Sequence, residues 1–157
     1  GFMDTGDTAD MIDNRLIITG RIKDVIVRGG INVPTAMIED EIGKVAGVEE
    51  VAVVGVPHEF WGEAMVLCAQ VLPGNDQAEM EVMIKNECRD RLSQPHRPDF
   101  IAVMDSMPRS TVGKVQKNIL ATEMATILTR DADTFVVKKV GTLNYNSRRH
   151  KSGCIND

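Results

Sequence analysis

Two apolar, β-rich runs, residues 48–56 and 64–72, constrain this chain more than any other feature. Only Pro57 and the hexapeptide His58-Glu59-Phe60-Trp61-Gly62-Glu63 separate them. The chain must therefore reverse at once, and the two runs are expected to pair antiparallel. A sheet begun this way has apolar surface to bury, and the neighbouring segments must supply the cover.

Those segments show helical and strand periods in turn. Residues 10–14 contain a turn, after which Arg15-Leu16-Ile17-Ile18-Thr19 reads as a strand. Val25-Ile26-Val27 is a short strand broken by Gly29-Gly30. Pro34 is expected to open a helix where its missing N–H costs nothing, with Met37, Ile38, Ile42 and Val45 on its apolar face and Gly47 at its end. After the turn Pro73-Gly74-Asn75-Asp76, a second helix carries Met80, Met83, Ile84, Cys88 and Leu92 on one face. Residues 93–98 form a Pro-bounded loop and Phe100-Ile101-Ala102-Val103-Met104 a strand. A polar loop, 108–114, leads to a last helix carrying Ile119, Leu120, Met124, Ile127 and Leu128. The order predicts an α+β domain with helices packed on a small mixed sheet. The pattern ends near residue 128, and no structure is assigned to the tail after it.

Composition narrows the class. With 43% hydrophobic and 26% charged residues the chain should bury a core, and with only 4% aromatics its Val, Ile and nine Met must fill it. The net charge of −5 argues against a general nucleic-acid or anionic-membrane binder. No apolar run approaches the roughly 20 residues of a membrane span. Cys68, Cys88 and Cys154 are an odd number without a close pair, so neither a disulfide framework nor a metal site is expected. Cys68 and Cys88 read as small core residues, Cys154 as a loose thiol, and the setting as reducing and cytoplasmic. Arg148-Arg149-His150-Lys151 makes the tail basic and reads as a solvated end.

Three segments carry chemistry. Thr5-Gly6-Asp7 is, alone, an ordinary turn. In Gly20-Arg21-Ile22-Lys23-Asp24-Val25-Ile26-Val27-Arg28-Gly29-Gly30-Ile31-Asn32-Val33-Pro34, charged residues crowd between two short strands before a glycine pair that lets a ligand approach the backbone. Its plainer meaning is a strand connection with a solvated charge cluster. In Pro108-Arg109-Ser110-Thr111-Val112-Gly113-Lys114 the spacing is not that of a nucleoside-triphosphate loop; instead one lysine stands on a loop before a helix. Such a lysine is either a plain exposed side chain or a charge that can be delivered to a phosphate and withdrawn.

Taken in this order and separation, the three segments resemble the adenylate-forming superfamily of acyl-CoA synthetases, luciferases and peptide-synthetase adenylation domains, over roughly residues 1–124. The resemblance implies that residues 1–19 end a large N-terminal domain, that 20–128 form a C-terminal lid, and that 129–157 are a tail of unknown role. Gly1-Phe2-Met3-Asp4, with no Met in first place, is expected to continue a longer protein. The implied reaction joins a carboxylic acid to ATP as acyl-adenylate, then passes the acyl group to the thiol of CoA. By resemblance, Lys114 reaches the carboxylate and α-phosphate, Asp7 and Arg21 hold the ribose, and Lys23 is the hinge about which the lid turns. Gly29 and Gly30 line the thiol channel. ATP and CoA are the implied ligands, with Mg2+ bound mainly by the large domain.

The segments Gly20-Arg21-Ile22-Lys23-Asp24 and Gly113-Lys114-Val115-Gln116-Lys117 look more like medium-chain or aryl acyl-CoA ligases than peptide-synthetase domains. Val56-Pro57-His58-Glu59-Phe60-Trp61-Gly62-Glu63 resembles a loop of the same ligases, where Trp61 either stacks on the adenine of CoA or is a core tryptophan. Gln94-Pro95-His96-Arg97-Pro98 departs from the family pattern, which has an aromatic and a lysine there, and His96 reads as a surface loop residue. The competing expectations are a non-catalytic binding module or relic of the family, and a ligase that loads a carrier-protein pantetheine.

Overall fold

A computed structural model describes residues 7–21, 24–130 and 141–144. Asp13 and Asn14, with φ of 49° and 61°, turn β1 (Asp7–Ile12) back into β2 (Arg15–Arg21), as their short side chains allow. These two strands form a sheet of their own. β3 (Val25–Arg28) and β4 (Ile31–Pro34) form a second hairpin around Gly29-Gly30. β4 was not foreseen: four residues, two of them exposed, give too short a pattern. Pro34 closes this strand and caps α1 (Thr35–Gly43) from outside, rather than opening the helix from its first turn. α1 also stops four residues before Gly47, whose φ of 86° serves the turn into the next strand.

The two apolar runs are β5 (Val48–His58) and β6 (Gly62–Val71), antiparallel with Val56 opposite Ala64 and Val51 opposite Ala69, as expected. α2 (Gln77–Arg91) starts at Asp76, whose side chain accepts the Glu79 N–H at 3.0 Å. A single 3-10 turn (Gln94–His96) precedes β7 (Phe100–Met104), which pairs parallel to β6. α3 (Lys117–Arg130) follows, and β8 (Gly141–Asn144) adds a parallel strand beside β7 in the tail to which no structure was assigned. The six-stranded sheet is thus mixed. Since β5 occupies one edge of β6 along its whole length, β3 meets β6 on the edge that β7 takes further along.

Alternation along the strands divides the core in two. Val51, Val53, Met65, Leu67, Ala69, Ile101 and Val103 face α1 and α2, against Ile38, Ile42, Met80, Ile84, Cys88 and Leu92. Ala52, Val54, Val66, Cys68, Phe100 and Ala102 face α3, against Leu120 and Met124. Because both faces are covered, β6 from Ala64 onward is buried at every position. Met37 and Met83, expected on apolar faces, are instead exposed, one helical step from the buried Ile38 and Ile84. Cys68 and Cys88 are buried free thiols, and burial pushes the Cys88 thiol up to about 12.

Candidate functional site

Gly29 and Gly30 form the exposed tip of the β3–β4 hairpin at φ of 56° and 82°. Two consecutive left-handed residues make the tight turn that suits the twist of a two-residue hairpin, and glycine adopts it without steric cost. A Cβ built on either glycine meets nothing within 4 Å, so the turn offers bare backbone to the surroundings.

The Gly29 N–H donates to the Trp61 carbonyl at 2.9 Å, which brings the diglycine tip and Trp61 together. Trp61 is 40% exposed, and this overturns its reading as a core residue. Its ring stacks on His58, with centroids 4.3 Å apart at 14°, and the Arg28 guanidinium lies 5.5 Å from its centroid. Phe60, 84% exposed, stands beside His58. Arg28 forms an ion pair with Asp99 and donates to the Arg97 carbonyl at 3.2 Å. Burial raises the Asp99 carboxyl above the ordinary range, opposed by the Met65 N–H and the charges of Arg28 and His58. The result is an exposed aromatic surface beside bare backbone, suited to stacking a flat ligand.

Lys114 stands on a different kind of loop. Arg109 and Val115 bridge the loop's two arms, the Ser110 N–H donates to the Lys114 carbonyl at 2.8 Å, and Gly113 N–H donates to the Ser110 carbonyl at 2.9 Å. Arg109 pins the loop to the sheet through Glu50 and the Gln70 side chain at 3.2 Å, and closes the loop on itself through the Gly113 carbonyl at 3.1 Å. Gln70, buried, also accepts the Met107 N–H at 3.1 Å. Lys114 is exposed, and among the described residues its ammonium has no hydrogen-bond or ion-pair partner. That charge remains available to an anion.

Asp7 and Arg21 face each other across the β1–β2 hairpin as register partners. Lys23 lies outside the described residues, as does the Thr5-Gly6 pair. Just after Lys23, Asp24 receives Lys117 Nζ at 3.1 Å, and the same amine reaches Glu39 at 2.7 Å. Lys117 thereby ties the segment following Lys23 to the start of α3 and to α1. Sequence reasoning named neither Lys117 nor Asp24 for this, and it passed over Arg28 and Asp99, which stand 71 residues apart. His96, half-buried, lies within hydrogen-bond distance of the Ser93 hydroxyl at 2.6 Å.

The two loops occupy opposite ends of one ladder. Arg109 anchors the lysine loop at Glu50 and Gln70, partners across β5 and β6, whereas the diglycine tip joins Trp61 and Gly62, with Gly62 opposite His58. Eight strand residues from Glu50 to His58 correspond to about 25 Å.

Known proteins resemble this chain in sequence and fold. Residues 37–114 match the AMP-binding enzyme C-terminal domain. A long-chain-fatty-acid--CoA ligase, FadD13 of Mycobacterium tuberculosis, is 37% identical over 121 residues, which cover 76% of this chain and 24% of that protein. The mitochondrial medium-chain acyl-CoA ligase ACSF2 of Rattus norvegicus is 36% identical over 76% of this chain and 19% of its own length. The ATP-bound structure of MatB from Rhodopseudomonas palustris superposes with a TM-score of 0.66 at 34% identity, covering 78% of this chain and 24% of that one. The chain thus spans about a quarter or less of these relatives. The α+β fold with its mixed sheet and flanking helices is that of their small C-terminal domain. The chain belongs to the adenylate-forming family, and what it carries is the AMP-binding enzyme C-terminal domain.

Proposed function

We propose that this chain is the lid of an ATP-dependent acyl-CoA synthetase, with residues 1–19 closing the large domain, 20–128 forming the lid and 129–157 a tail of unknown role. The observation that carries the reading is the separation of the two loops. Loops anchored about 25 Å apart along one ladder cannot readily serve one reaction centre together. They can serve it in turn if the lid rotates between two half-reactions.

In the first pose Lys114 enters. Its task is to offset charge as a carboxylate approaches the α-phosphate of ATP, and its lack of a partner among the described residues fits that task. Asp7 accepts from the ribose hydroxyls and Arg21 supports ribose and phosphate, at the open end of one hairpin. Lys23 is the hinge. In the second pose Gly29 and Gly30 border the path of the CoA thiol, where their open surroundings leave room for the pantetheine arm. The exposed Trp61 receives the adenine of CoA. Mg2+ accompanying ATP is assigned mainly to the large domain. Buried unpaired Cys68 and Cys88 support a reducing, cytoplasmic setting. Among the described residues no helix is long and apolar enough to cross a membrane.

The test is Lys114→Ala in the chain joined to its large domain. Acyl-adenylate formation, followed by pyrophosphate release, should fall about a hundredfold or more, while thioester formation from supplied acyl-AMP persists. Equal loss in both steps would contradict the assignment. Supplying CoA and a pantetheinylated carrier protein side by side identifies the acceptor.

A further inference from the structure

We infer that Asp99 is a positioning residue for the thiol half-reaction: through Arg28 it holds the Gly29-Gly30 turn and the exposed face of Trp61 in the pose that receives CoA. This rests on the acyl-CoA synthetase reading and extends it to Asp99, which lies outside the three motif segments.

The inference begins with a deficit. β3 meets β6 at a single register pair, Arg28 with Gly62, so backbone pairing alone holds the hairpin weakly. Side chains replace the missing ladder. The Glu63 carboxylate accepts the Val27 N–H at 2.8 Å. Gly55 makes room for it, because a Cβ there would stand 3.0 Å from Glu63 Oε1. Asp99 is fixed more firmly still. One of its oxygens accepts the Met65 N–H at 2.8 Å, and its own N–H donates to the Met65 carbonyl at 2.9 Å. The other oxygen takes the Arg28 guanidinium, with the Asp99 side chain only 7% exposed.

Arg28 therefore ends on a carboxylate locked to the central strand, and from that position it lies against Trp61. A buried ion pair adds little net stability, because desolvation offsets the attraction; what it supplies is a fixed geometry. Here that geometry joins the turn, the aromatic ring and β6. The pair sits at the end of the sheet away from the lysine loop, so its effect should fall on one half-reaction alone.

The test uses Asp99→Asn, Arg28→Gln and the double variant, in this chain and in the chain joined to its large domain. Trp61 is the only tryptophan of the chain, so its fluorescence reports on the site without catalysis. Each single variant should make Trp61 more quenchable by acrylamide. Each should also raise the KM for CoA in thioester formation from acyl-AMP about tenfold, with the adenylation rate unchanged. The double variant should be no worse than either single, since both break one unit. Arg28, less buried than Asp99, is the milder change should Asp99→Asn fail to fold. The inference fails if Arg28→Gln leaves both Trp61 quenching and the KM for CoA within twofold of the parent. It fails equally if adenylation falls in step, or if the two substitutions multiply in effect. Lys114→Ala in parallel separates the two levels: retained adenylation in that variant would refute the ligase reading itself.

Discussion

The diglycine turn and the lysine loop are both short, exposed reversals, yet they are held in opposite ways. The turn is fastened from outside: Trp61, Glu63 and Asp99, from the loop before β6, β6 itself and the approach to β7, reach it or its neighbours. The loop is fastened from within, by its own backbone bonds, and Arg109 anchors it to the sheet. The first presents backbone in a fixed shape. The second presents a charge at the end of a long side chain. Shape has to be set in advance to admit a ligand arm, whereas a point charge can be carried to its target by a flexible stem.

The largest expected effect comes from breaking the shape. Gly30→Val puts a branched side chain at φ of 82°, a conformation that costs such a residue about 1–2 kcal/mol, and fills the open space beside the turn. Thioester formation should fall about a hundredfold while adenylation persists. Comparable loss in both steps would erase the distinction between the two loops. Next comes Arg109→Ala, which releases the lysine loop from Glu50 and Gln70. Adenylation should drop about tenfold with the thiol step unchanged, and denaturant unfolding should show about 1 kcal/mol lost, a modest figure because the pair is partly open to solvent.

A smaller effect appears in the pH dependence of stability. The folded chain holds the Asp99 proton more tightly than the ordinary value of 3.8. Between that value and the raised one the native state binds more protons, so the contribution of Asp99 falls as pH rises. Above the raised value it is level. Asp99→Asn should remove this slope in urea unfolding as pH rises above 3.8, and an unchanged slope would assign it to another group. The smallest effect is expected at Val112, 82% exposed on the lysine loop. Val112→Ser should change stability by less than about 0.5 kcal/mol and leave both half-reactions intact. A large response there would mean that the loop is held by contacts to the rest of the enzyme.

Much of the fold was legible because burial leaves a period. The β5–β6 pair, α2 and α3 announce themselves through repeated apolar positions, and Ile38 with Ile42 marks α1. Period alone misjudged the flanks: Met37 and Met83 are apolar but lie a helical step outside the buried stripe. β4 and β8, at four residues each, are too short to show a period, and it is pairing with neighbours that makes them strands. At the site, motif spacing pointed to Gly29, Gly30 and Lys114 but not to what holds them. Asp99 carries no local signal, because its meaning comes from Arg28, 71 residues away. Trp61 could be read either way until the closeness of His58 and Arg28, with the ring still open to solvent, settled its surroundings.

The single register pair between β3 and β6 has a further consequence, for protein engineering. A strand bound by a long ladder cannot be exchanged without rebuilding its neighbour's register. A hairpin attached mainly by side chains is closer to a cassette. Residues 25–34 could be transplanted between homologous lids if Gly55, Glu63 and Asp99 travelled with them, and the shape of the diglycine turn would move as a unit defined by four short stretches of sequence.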